Sequence, residues 1–209
     1  MSLLRISRRG MSLNQLVIFV KAPRPGLVKT RLARSIGASE ACAAYRTLTE
    51  TLLRNLEKIP GVELRFAPDD AAPEIQGWLR KGWKSRPQGS GDLGERMQRA
   101  FAEAFAEGAK TVVLIGSDCP AITREDIHTG WSRLREHDLV LGPAVDGGYW
   151  LIGLRSPQPE LFKGMPWSTD MVLGETLRRA RAMNLSVDLL RILADIDTKR
   201  DWLDFLNGK

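Results

Sequence analysis

Residues 111–120 have the sequence TVVLIGSDCP, in which an uninterrupted apolar run leads directly into a short polar segment. Such a run is typical of a strand covered on both faces, as strands in parallel sheets are. Residues 15–22 contain a second run of this kind, LVIFV. Further predicted strands alternate with amphipathic helices along the chain. The pattern therefore predicts an α/β layered fold with a mostly parallel sheet.

The remaining elements follow from periodicity, turn residues and helix caps. Strands are predicted at residues 62–67, 83–87, 139–142, 149–154 and 186–193. Helices are predicted at residues 29–36, 39–58, 71–81, 92–108, 123–137, 169–184 and 199–206. Capping-box patterns mark three of the helix starts: Asp92 with Glu95, Thr123 with Asp126, and Thr198 with Asp201.

Length and composition favour one globular domain. The 209 residues are enough for a full hydrophobic core, and no apolar stretch is long enough to cross a bilayer. We predict a single domain over residues 13–209, preceded by a short flexible leader, residues 1–12, which has arginines but no apolar core that would make it a secretory signal. Two cysteines without paired spacing favour a reducing compartment and a cytoplasmic protein.

The net charge of +6 favours small phosphorylated substrates over nucleic acid. Lysines and arginines are spread along the chain, and no segment combines a dense basic run with interleaved aromatic residues. We therefore predict no nucleic-acid partner. The composition does not predict an oligomeric state.

The loop after the first strand, residues 21–32, concentrates cations at a strand-to-helix junction. Lys21, Arg24, Lys29 and Arg31 lie in it, around a Pro-Gly turn. Amides at a helix start favour anions, so we predict phosphate contacts from this loop. A solvated basic loop is the alternative interpretation.

A second loop, residues 88–94, carries Gln88 followed by Gly89 and Gly91. Glycines let the backbone approach a ligand closely, and a glutamine amide can bond a base edge or a ribose. A flexible turn before a capped helix explains the same residues equally well.

Asp118 is the candidate metal ligand, because it directly follows a buried strand and is held next to Pro120. Magnesium binds one or two such carboxylates together with phosphate oxygens. Capping of the next helix is the alternative role, but Thr123 already supplies a cap. Asp195 and Asp197 share one face if their segment is extended, and Asp197 is the predicted second ligand. The cofactor is therefore Mg²⁺ or Mn²⁺.

Two later loops are candidates for binding an acceptor. Asp146-Gly147-Gly148 is first of all a tight-turn pattern, but Tyr149 next to it can form a pocket wall. Before the helix predicted at residue 169, Trp167 can either join the core or stack on a substrate. Ser168 or Thr169 is also a suitable N-cap for that helix.

Taken in order, the motifs resemble a bacterial family of glycosyltransferase A-type transferases, many of which are described as radical-SAM/selenodomain-associated. The resemblance covers the chain from about residue 13 and rests on the first loop, residues 88–94 with Arg96, and residues 116–120, 142–149, 166–169 and 195–198. More distantly, the Lys29-Thr30-Arg31-Leu32 ending resembles 2-phospholactate guanylyltransferases, and Asp118 with Pro120 resembles molybdenum-cofactor cytidylyltransferases. The Gly-x-Gly-x-Arg opening of sugar nucleotidyltransferases and a plain Asp-x-Asp at Asp118 are both missing.

The resemblance implies a three-layer αβα sandwich with a mixed, mostly parallel sheet, like that of nucleotide-diphospho-sugar transferases. In that fold the nucleotide lies over the N-terminal half of the sheet and the acceptor over the C-terminal half. The predicted nucleotide-binding residues are Lys21, Lys29, Arg31, Gln88, Gly89, Gly91 and Arg96. The predicted acceptor-binding residues are Asp146, Gly147, Gly148, Tyr149, Trp167, Ser168 and Thr169.

The leading hypothesis is nucleotidyl transfer from a nucleoside triphosphate to a phosphate or hydroxyl acceptor, with Asp118, Lys29 and Arg31 as catalytic residues. This chemistry needs positioning and charge neutralisation rather than a protein nucleophile. Cys119 is accordingly predicted to be a packing residue. The close alternative is glycosyl transfer from a nucleotide-sugar, with Asp146 or Asp170 as base. A non-catalytic nucleotide-binding module and a nucleic-acid-binding protein are hypotheses of other classes.

Overall fold

The computed structural model describes residues 13–208. The predicted leader, residues 1–12, lies outside them. Seven strands form one sheet in the order β3-β2-β1-β4-β6-β5-β7. The strands are β1 (Asn14–Lys21), β2 (Val62–Ala67), β3 (Lys84–Pro87), β4 (Thr111–Ile115), β5 (Leu139–Pro143), β6 (Tyr149–Leu154) and β7 (Val187–Leu189).

The sheet is mixed, as predicted. Strands β1 to β4 pair in parallel, and β7 pairs in parallel with β5. Strand β6 is antiparallel to both of its neighbours, β4 and β5. Since β6 runs in the opposite direction, its first residue, Tyr149, lies at the edge where the other strands end.

Helices cover both faces of the sheet and complete the three layers. They are α1 (Thr30–Ile36), α2 (Ala38–Asn55), α3 (Ala72–Ile75), α4 (Leu93–Ala106), α5 (Arg124–Arg133), α6 (Val172–Ala182) and α7 (Lys199–Leu206). Alternate residues of β1 enter different cores, as strand geometry requires. Leu16 and Ile18 pack with residues of α2, α3 and α5, whereas Val17 and Phe19 pack with residues of α4 and α6.

The locally encoded elements match their predictions closely. Strands β2, β4 and β6 and helix α7 have the predicted bounds. All three capping boxes are present, at Asp92, Thr123 and Thr198. Among residues 13–208, no helix is both long and apolar enough to cross a membrane.

Several predicted elements differ in extent: the helix predicted at residues 123–137 ends at Arg133, and the one predicted at residues 39–58 ends at Asn55. The helix predicted at residues 71–81 is the short α3 followed by a 3₁₀ turn, Gln76–Trp78. Helix α6 was predicted to begin at residue 169 but begins at Val172. Ser168 has a left-handed backbone with φ of 65°, which is not helical. The Thr169 hydroxyl donates a hydrogen bond to the Pro166 carbonyl instead of capping the helix.

The last predicted strand is also shorter than predicted: it stops at Leu189, and of the remaining residues up to 193 only Leu193 forms an isolated parallel bridge, with Ala144. Side-chain contacts hold the chain between them. The Arg191 carbonyl accepts a hydrogen bond from the Trp150 indole at 3.1 Å. The Arg191 guanidinium donates two hydrogen bonds, each 2.7 Å long, to the Asp126 carboxylate. These contacts fix the segment that carries Asp195 and Asp197.

Candidate active site

A cleft of about 780 Å³ opens at the carboxyl edge of the sheet. Ligands in open α/β sheets bind at this edge. Thirteen of the predicted site residues line the cleft: Lys21, Lys29, Arg31, Gln88, Arg96, Asp118, Asp146, Gly148, Tyr149, Trp167, Ser168, Thr169 and Asp197. The other three, Gly89, Gly91 and Gly147, do not belong to its lining.

Lys29 lies at the centre of the charged end of the cleft. Its ammonium nitrogen is 3.0 Å from Oδ1 of Asp118 and 3.0 Å from Oδ1 of Asp197. The side chain is 3% exposed, and the residue has a left-handed backbone with φ of 46°. Burial alone would lower the pKa of Lys29, but the two carboxylates outweigh it and hold that pKa above its ordinary value. The predicted metal ligands are therefore brought together, with a lysine ammonium between them.

The other two predicted phosphate-binding cations differ from Lys29 in being exposed. Lys21, at the end of β1, is exposed, and the Arg31 side chain is 70% exposed. Arg31 is only loosely paired, with its guanidinium 3.7 Å from Asp197. A ligand in the cleft can therefore reach both side chains without first breaking a buried contact.

Asp195 is a charged residue of the cleft that the sequence did not single out. It lines the same space, and burial together with the nearby Asp118 raises its pKa to about 7. Lys29 opposes this rise in pKa, whereas Asp146 and Asp197 add to it. In sequence, Asp195 and Asp197 are two positions apart, and this spacing already indicated that they share a face if the segment is extended. Within residues 13–208, no three metal-ligating side chains converge closely enough to form a ready-made site.

Tyr45 is a second residue that the sequence did not assign to the site. Its hydroxyl accepts a hydrogen bond from the Lys21 backbone amide at 2.8 Å and lies 2.9 Å from the Ser117 hydroxyl. This pair of contacts ties the end of β1 to the loop after β4. Tyr45 recurs with other apolar residues at helical spacing in α2, which indicates only a core position, because its hydrogen-bond partners are remote in sequence.

The glycines of residues 88–94 serve contacts within the protein. At Gly89, a side chain would lie 2.6 Å from the Arg99 guanidinium, and at Gly91 it would overlap Glu95. Both glycines have positive φ, 79° and 101°. Arg99 donates to the carbonyls of Gln88 and Ser90, at 2.6 and 2.9 Å. The sequence predicted that Gly89 and Gly91 approach a ligand closely. In the structure these glycines lie close to Arg99 and Glu95.

The β5–β6 hairpin supplies the opposite wall of the cleft. Asp146 shapes the turn by accepting a hydrogen bond from the Gly148 amide at 2.9 Å, and it also lines the cleft. Gly147 has φ of 87°, and a side chain there would overlap the backbone of Asp170. Gly147 therefore packs against the segment before α6 and does not itself line the cleft, and its predicted acceptor contact stays a prediction.

Aromatic side chains form the floor and side of this half of the cleft. The hydroxyl of Tyr149 is buried, and burial raises its pKa, so only its ring faces a ligand. Trp167 packs over Gly94, where a side chain would lie 2.9 Å from the indole nitrogen. Cys119 is buried, and burial raises its thiol pKa to about 12, which confirms the packing role predicted for it.

Comparison with known proteins identifies the family. A family model described as "Uncharacterized protein conserved in bacteria (DUF2064)" matches residues 53–169, more than half of the chain. The chain belongs to the DUF2064 family. No curated protein matches it.

Solved structures share the fold of this DUF2064 member. A putative nucleotide-diphospho-sugar transferase from Desulfovibrio desulfuricans G20 is 34% identical, with a TM-score of 0.88 over 95% of this chain and 88% of that one. A CMP:2-keto-3-deoxy-manno-octonic acid synthetase complexed with CTP is 10% identical, with a TM-score of 0.57 over 95% of this chain and all of that one. Rv0371c from Mycobacterium tuberculosis, in complex with manganese, is 13% identical, with a TM-score of 0.54 over 95% and 100% of the two chains. The last two show likeness of fold alone.

Proposed function

We propose that the protein is a metal-dependent nucleotidyltransferase, which transfers a nucleotidyl group from a nucleoside triphosphate to a hydroxyl acceptor and releases pyrophosphate. One observation carries the proposal. Basic side chains suited to phosphate and carboxylates suited to a hard cation line the same cleft at the carboxyl edge of the sheet: Lys21, Lys29 and Arg31 beside Asp118, Asp195 and Asp197. The likeness to a protein named as a putative nucleotide-diphospho-sugar transferase, and the fold shared with a CMP:2-keto-3-deoxy-manno-octonic acid synthetase complexed with CTP, support a transferase that uses a nucleotide.

The donor set fits magnesium or manganese. Both ions prefer carboxylate oxygens, and Mg²⁺ is held by one or two carboxylates plus phosphate oxygens. The single ammonium of Lys29 faces the carboxylates of Asp118 and Asp197, and Asp195 adds a third nearby. This excess of carboxylate over ammonium favours a further cation, with Asp118 and Asp197 as its ligands. When bound, the cation would neutralise charge on the phosphate oxygens.

The protein's own residues position the triphosphate. Lys29 uses two of its three donors on Asp118 and Asp197, so one donor remains for a phosphate oxygen. Lys21 and Arg31 are exposed in the cleft and would neutralise the negative charge that develops on the leaving pyrophosphate. The acceptor hydroxyl oxygen forms a bond to the α-phosphorus as the bond between that phosphorus and the α–β bridging oxygen breaks, and the hydroxyl proton passes to Asp146 or Asp170. No covalent protein intermediate is required.

The charge of the acceptor half favours a hydroxyl over a phosphate acceptor. We define this half by the residues of the β5–β6 hairpin, and of the segment up to the first residue of α6, that line the cleft: Asp146, Gly148, Tyr149, Trp150, Ile152, Trp167, Ser168, Thr169, Asp170 and Val172. It holds two exposed carboxylates, and within the described part of the chain it contains no lysine or arginine. A phosphate there would be repelled, whereas a hydroxyl can donate to Asp146 or Asp170.

Glycosyl transfer from a nucleotide-sugar is the second candidate. It is favoured by the 34% identity to the Desulfovibrio protein, which is named as a nucleotide-diphospho-sugar transferase. The same cations and carboxylates would then hold the diphosphate leaving group, and Asp146 or Asp170 would act as base towards the acceptor hydroxyl.

The test is a thermal-shift screen with Mg²⁺ or Mn²⁺ and three ligand classes: nucleoside triphosphates, nucleoside diphosphates and nucleotide-sugars. We expect triphosphates to give the largest shift, and only in the presence of metal. Stabilisation by nucleotide-sugars alone would replace nucleotidyl transfer with glycosyl transfer. Acceptor-dependent release of pyrophosphate then separates an enzyme from a non-catalytic nucleotide-binding module.

A further inference from the structure

Lys29 lies where a cation would lie between two candidate metal ligands. Its ammonium nitrogen is 3.0 Å from Oδ1 of Asp118 and 3.0 Å from Oδ1 of Asp197. The lysine side chain is 3% exposed, whereas the two aspartate side chains are 51% and 36% exposed. A metal ion from solution can therefore reach both carboxylates, but it meets a positive charge that already contacts them.

The fold holds Lys29 in this place. Its backbone is left-handed, with φ of 46° and ψ of 47°, a conformation that residues other than glycine seldom adopt. Such conformations persist only where surrounding contacts compensate for them, and they collect at functional sites. Here the contacts are the two ion pairs, which join the loop after β1 to the loop after β4 and to the segment before α7. The ammonium is therefore part of the site, unlike that of a solvated surface lysine.

Positive charge at these carboxylates opposes the binding of a second cation. Like charges next to the same carboxylate repel each other, and the repulsion is strong where bulk water is excluded. The guanidinium of Arg31 lies 3.7 Å from Oδ2 of Asp197, so each oxygen of that carboxylate has a cationic neighbour. In the protein without nucleotide, a divalent cation must therefore displace Lys29 or bind beside it against this repulsion.

A triphosphate offers the ammonium another anionic partner. Lysine carries its three donors on a flexible stem, so the ammonium can turn while the backbone stays in place. Lys29 lines the cleft together with the exposed cations Lys21 and Arg31, where the proposed function places the phosphates. An ammonium that turns to a phosphate oxygen exchanges one anion for another. It then leaves Asp118 and Asp197 to the metal that the phosphates carry.

We infer that Lys29 closes the metal site to free cations and opens it to a metal–nucleotide complex, so that the cation enters together with the nucleotide and not before it. This inference rests on the proposed function. Lys29 acts here through Asp118 and Asp197, in addition to its own phosphate contact. Removing its charge should therefore have opposite effects on two affinities, with tighter binding of metal alone and weaker binding of phosphate.

The experiment measures these two affinities separately in the wild-type protein and in Lys29→Met. Mn²⁺ is titrated alone, and the free ion is followed by electron paramagnetic resonance. Inorganic triphosphate is titrated calorimetrically with a chelator present. We expect Lys29→Met to bind Mn²⁺ about tenfold or more tightly than wild type, and triphosphate about tenfold or more weakly. A merely structural role would weaken both, and Mn²⁺ binding that is equal or weaker in Lys29→Met overturns the inference.

Three further variants make the result specific. Lys29→Gln keeps a hydrogen-bond donor without the charge, should shift both affinities in the same directions, and replaces Lys29→Met if that variant does not fold. Lys21→Met removes an exposed cation of the same loop and should change Mn²⁺ affinity less than about threefold. A gain as large as that of Lys29→Met would overturn the inference. Adding Asp118→Asn to Lys29→Met should abolish the gain.

The outcomes for Mn²⁺ separate this inference from the proposed function. If neither wild type nor the Lys29 variants bind Mn²⁺, the metal site fails, and the proposed function fails with it. If wild type and the Lys29 variants bind Mn²⁺ equally well, and Asp118→Asn abolishes that binding, only the control by Lys29 is overturned.

Discussion

The ammonium of Lys29 lies 3.0 Å from the carboxylate of Asp118, and the lysine is buried while the aspartate is half exposed. Lys29 also contacts Asp197 at the same distance. One internal cation therefore holds two candidate metal ligands, one from the middle of the chain and one from its C-terminal part. Each side chain can be removed separately, and the results differ in a way that identifies the role of the site.

Lys29→Met is expected to destabilise the protein by about 1–3 kcal/mol in a chelator-containing buffer. The loss leaves Asp118 without its counterion and Asp197 with only the exposed Arg31 at 3.7 Å, and the partial exposure of both carboxylates keeps the cost below that of a fully buried pair. Added Mg²⁺ should restore part of the stability but not the activity. Chemical denaturation with and without metal measures both effects.

The matched control is Lys21→Met, which removes an exposed cation from the same loop. Its free energy of unfolding should stay within about 0.5 kcal/mol of wild type. If the two variants lost equal free energy of unfolding, the buried ion pairs of Lys29 would add no stability beyond that of an exposed cation.

Asp118→Asn is expected to lower kcat/KM by about a thousandfold or more and to abolish the metal-dependent thermal shift. The amide keeps the shape of the side chain but loses the charge that binds a hard cation. Asp70→Asn is the control, because Asp70 pairs with Arg24 outside the cleft and should leave both quantities unchanged. An active Asp118→Asn enzyme would remove this residue from the mechanism.

The raised pKa of Asp195 leads us to expect that the stability of the protein falls as pH rises. Its pKa is raised to about 7 by burial and by Asp118, so the metal-free folded protein binds a proton that the unfolded chain has already released. The free energy of unfolding therefore falls as pH rises from about 4 to 7, and levels off above that range. Asp195→Asn should be more stable than wild type at pH 8, by up to roughly 3 kcal/mol, and little different at pH 4.

Urea titrations at several pH values, with a chelator present, measure this difference. Asp204→Asn, which replaces a half-exposed aspartate of α7 outside the cleft, serves as the control. Saturating Mg²⁺ should reduce the advantage of Asp195→Asn at pH 8, because a cation compensates the same carboxylates. A flat profile for Asp195→Asn would show that Asp195 ionises normally.

Gly147→Ala is expected to destabilise the protein by about 1–3 kcal/mol and to raise the acceptor KM more than the nucleotide KM. A side chain at this positive φ overlaps the backbone of Asp170, which lines the acceptor half. Gly174→Ala is the control: it lies in helix α6 with open space around it, and should stabilise the protein by about 0.5–1 kcal/mol. If both variants behave alike, the turn does not position the acceptor segment.

The sequence predicted features that depend on neighbours in the chain. The three capping boxes, the buried runs of β1 and β4 and the meeting of Asp118 with Asp197 at one edge all follow from local pattern and parallel strand geometry. It could not predict that Lys29 lies between the carboxylates, because this needs a left-handed residue and contacts that span 168 positions.

Other features could not be predicted because one residue type serves several purposes. Gly89, Gly91 and Gly147 lie in glycine-rich loops of the kind that bind ligands. In the structure, each makes room for a side chain or backbone of the protein itself. The amide of Gln88 gave no indication of its orientation until the two backbone carbonyls to which it donates were known. Asp195 required knowledge of which carboxylates surround it.

The reversed direction of β6 has a consequence for how this family can diversify. In the proposed function, the donor side of the cleft is built from the strands up to β4 and from the segment that carries Asp195 and Asp197, whereas the acceptor side comes from the hairpin before β6 and from the segment before α6. The stretch of chain that would read the acceptor therefore lies between two stretches that would hold the nucleotide. Mutations between Pro143 and Val172 can therefore exchange one acceptor for another while the nucleotide chemistry is inherited intact.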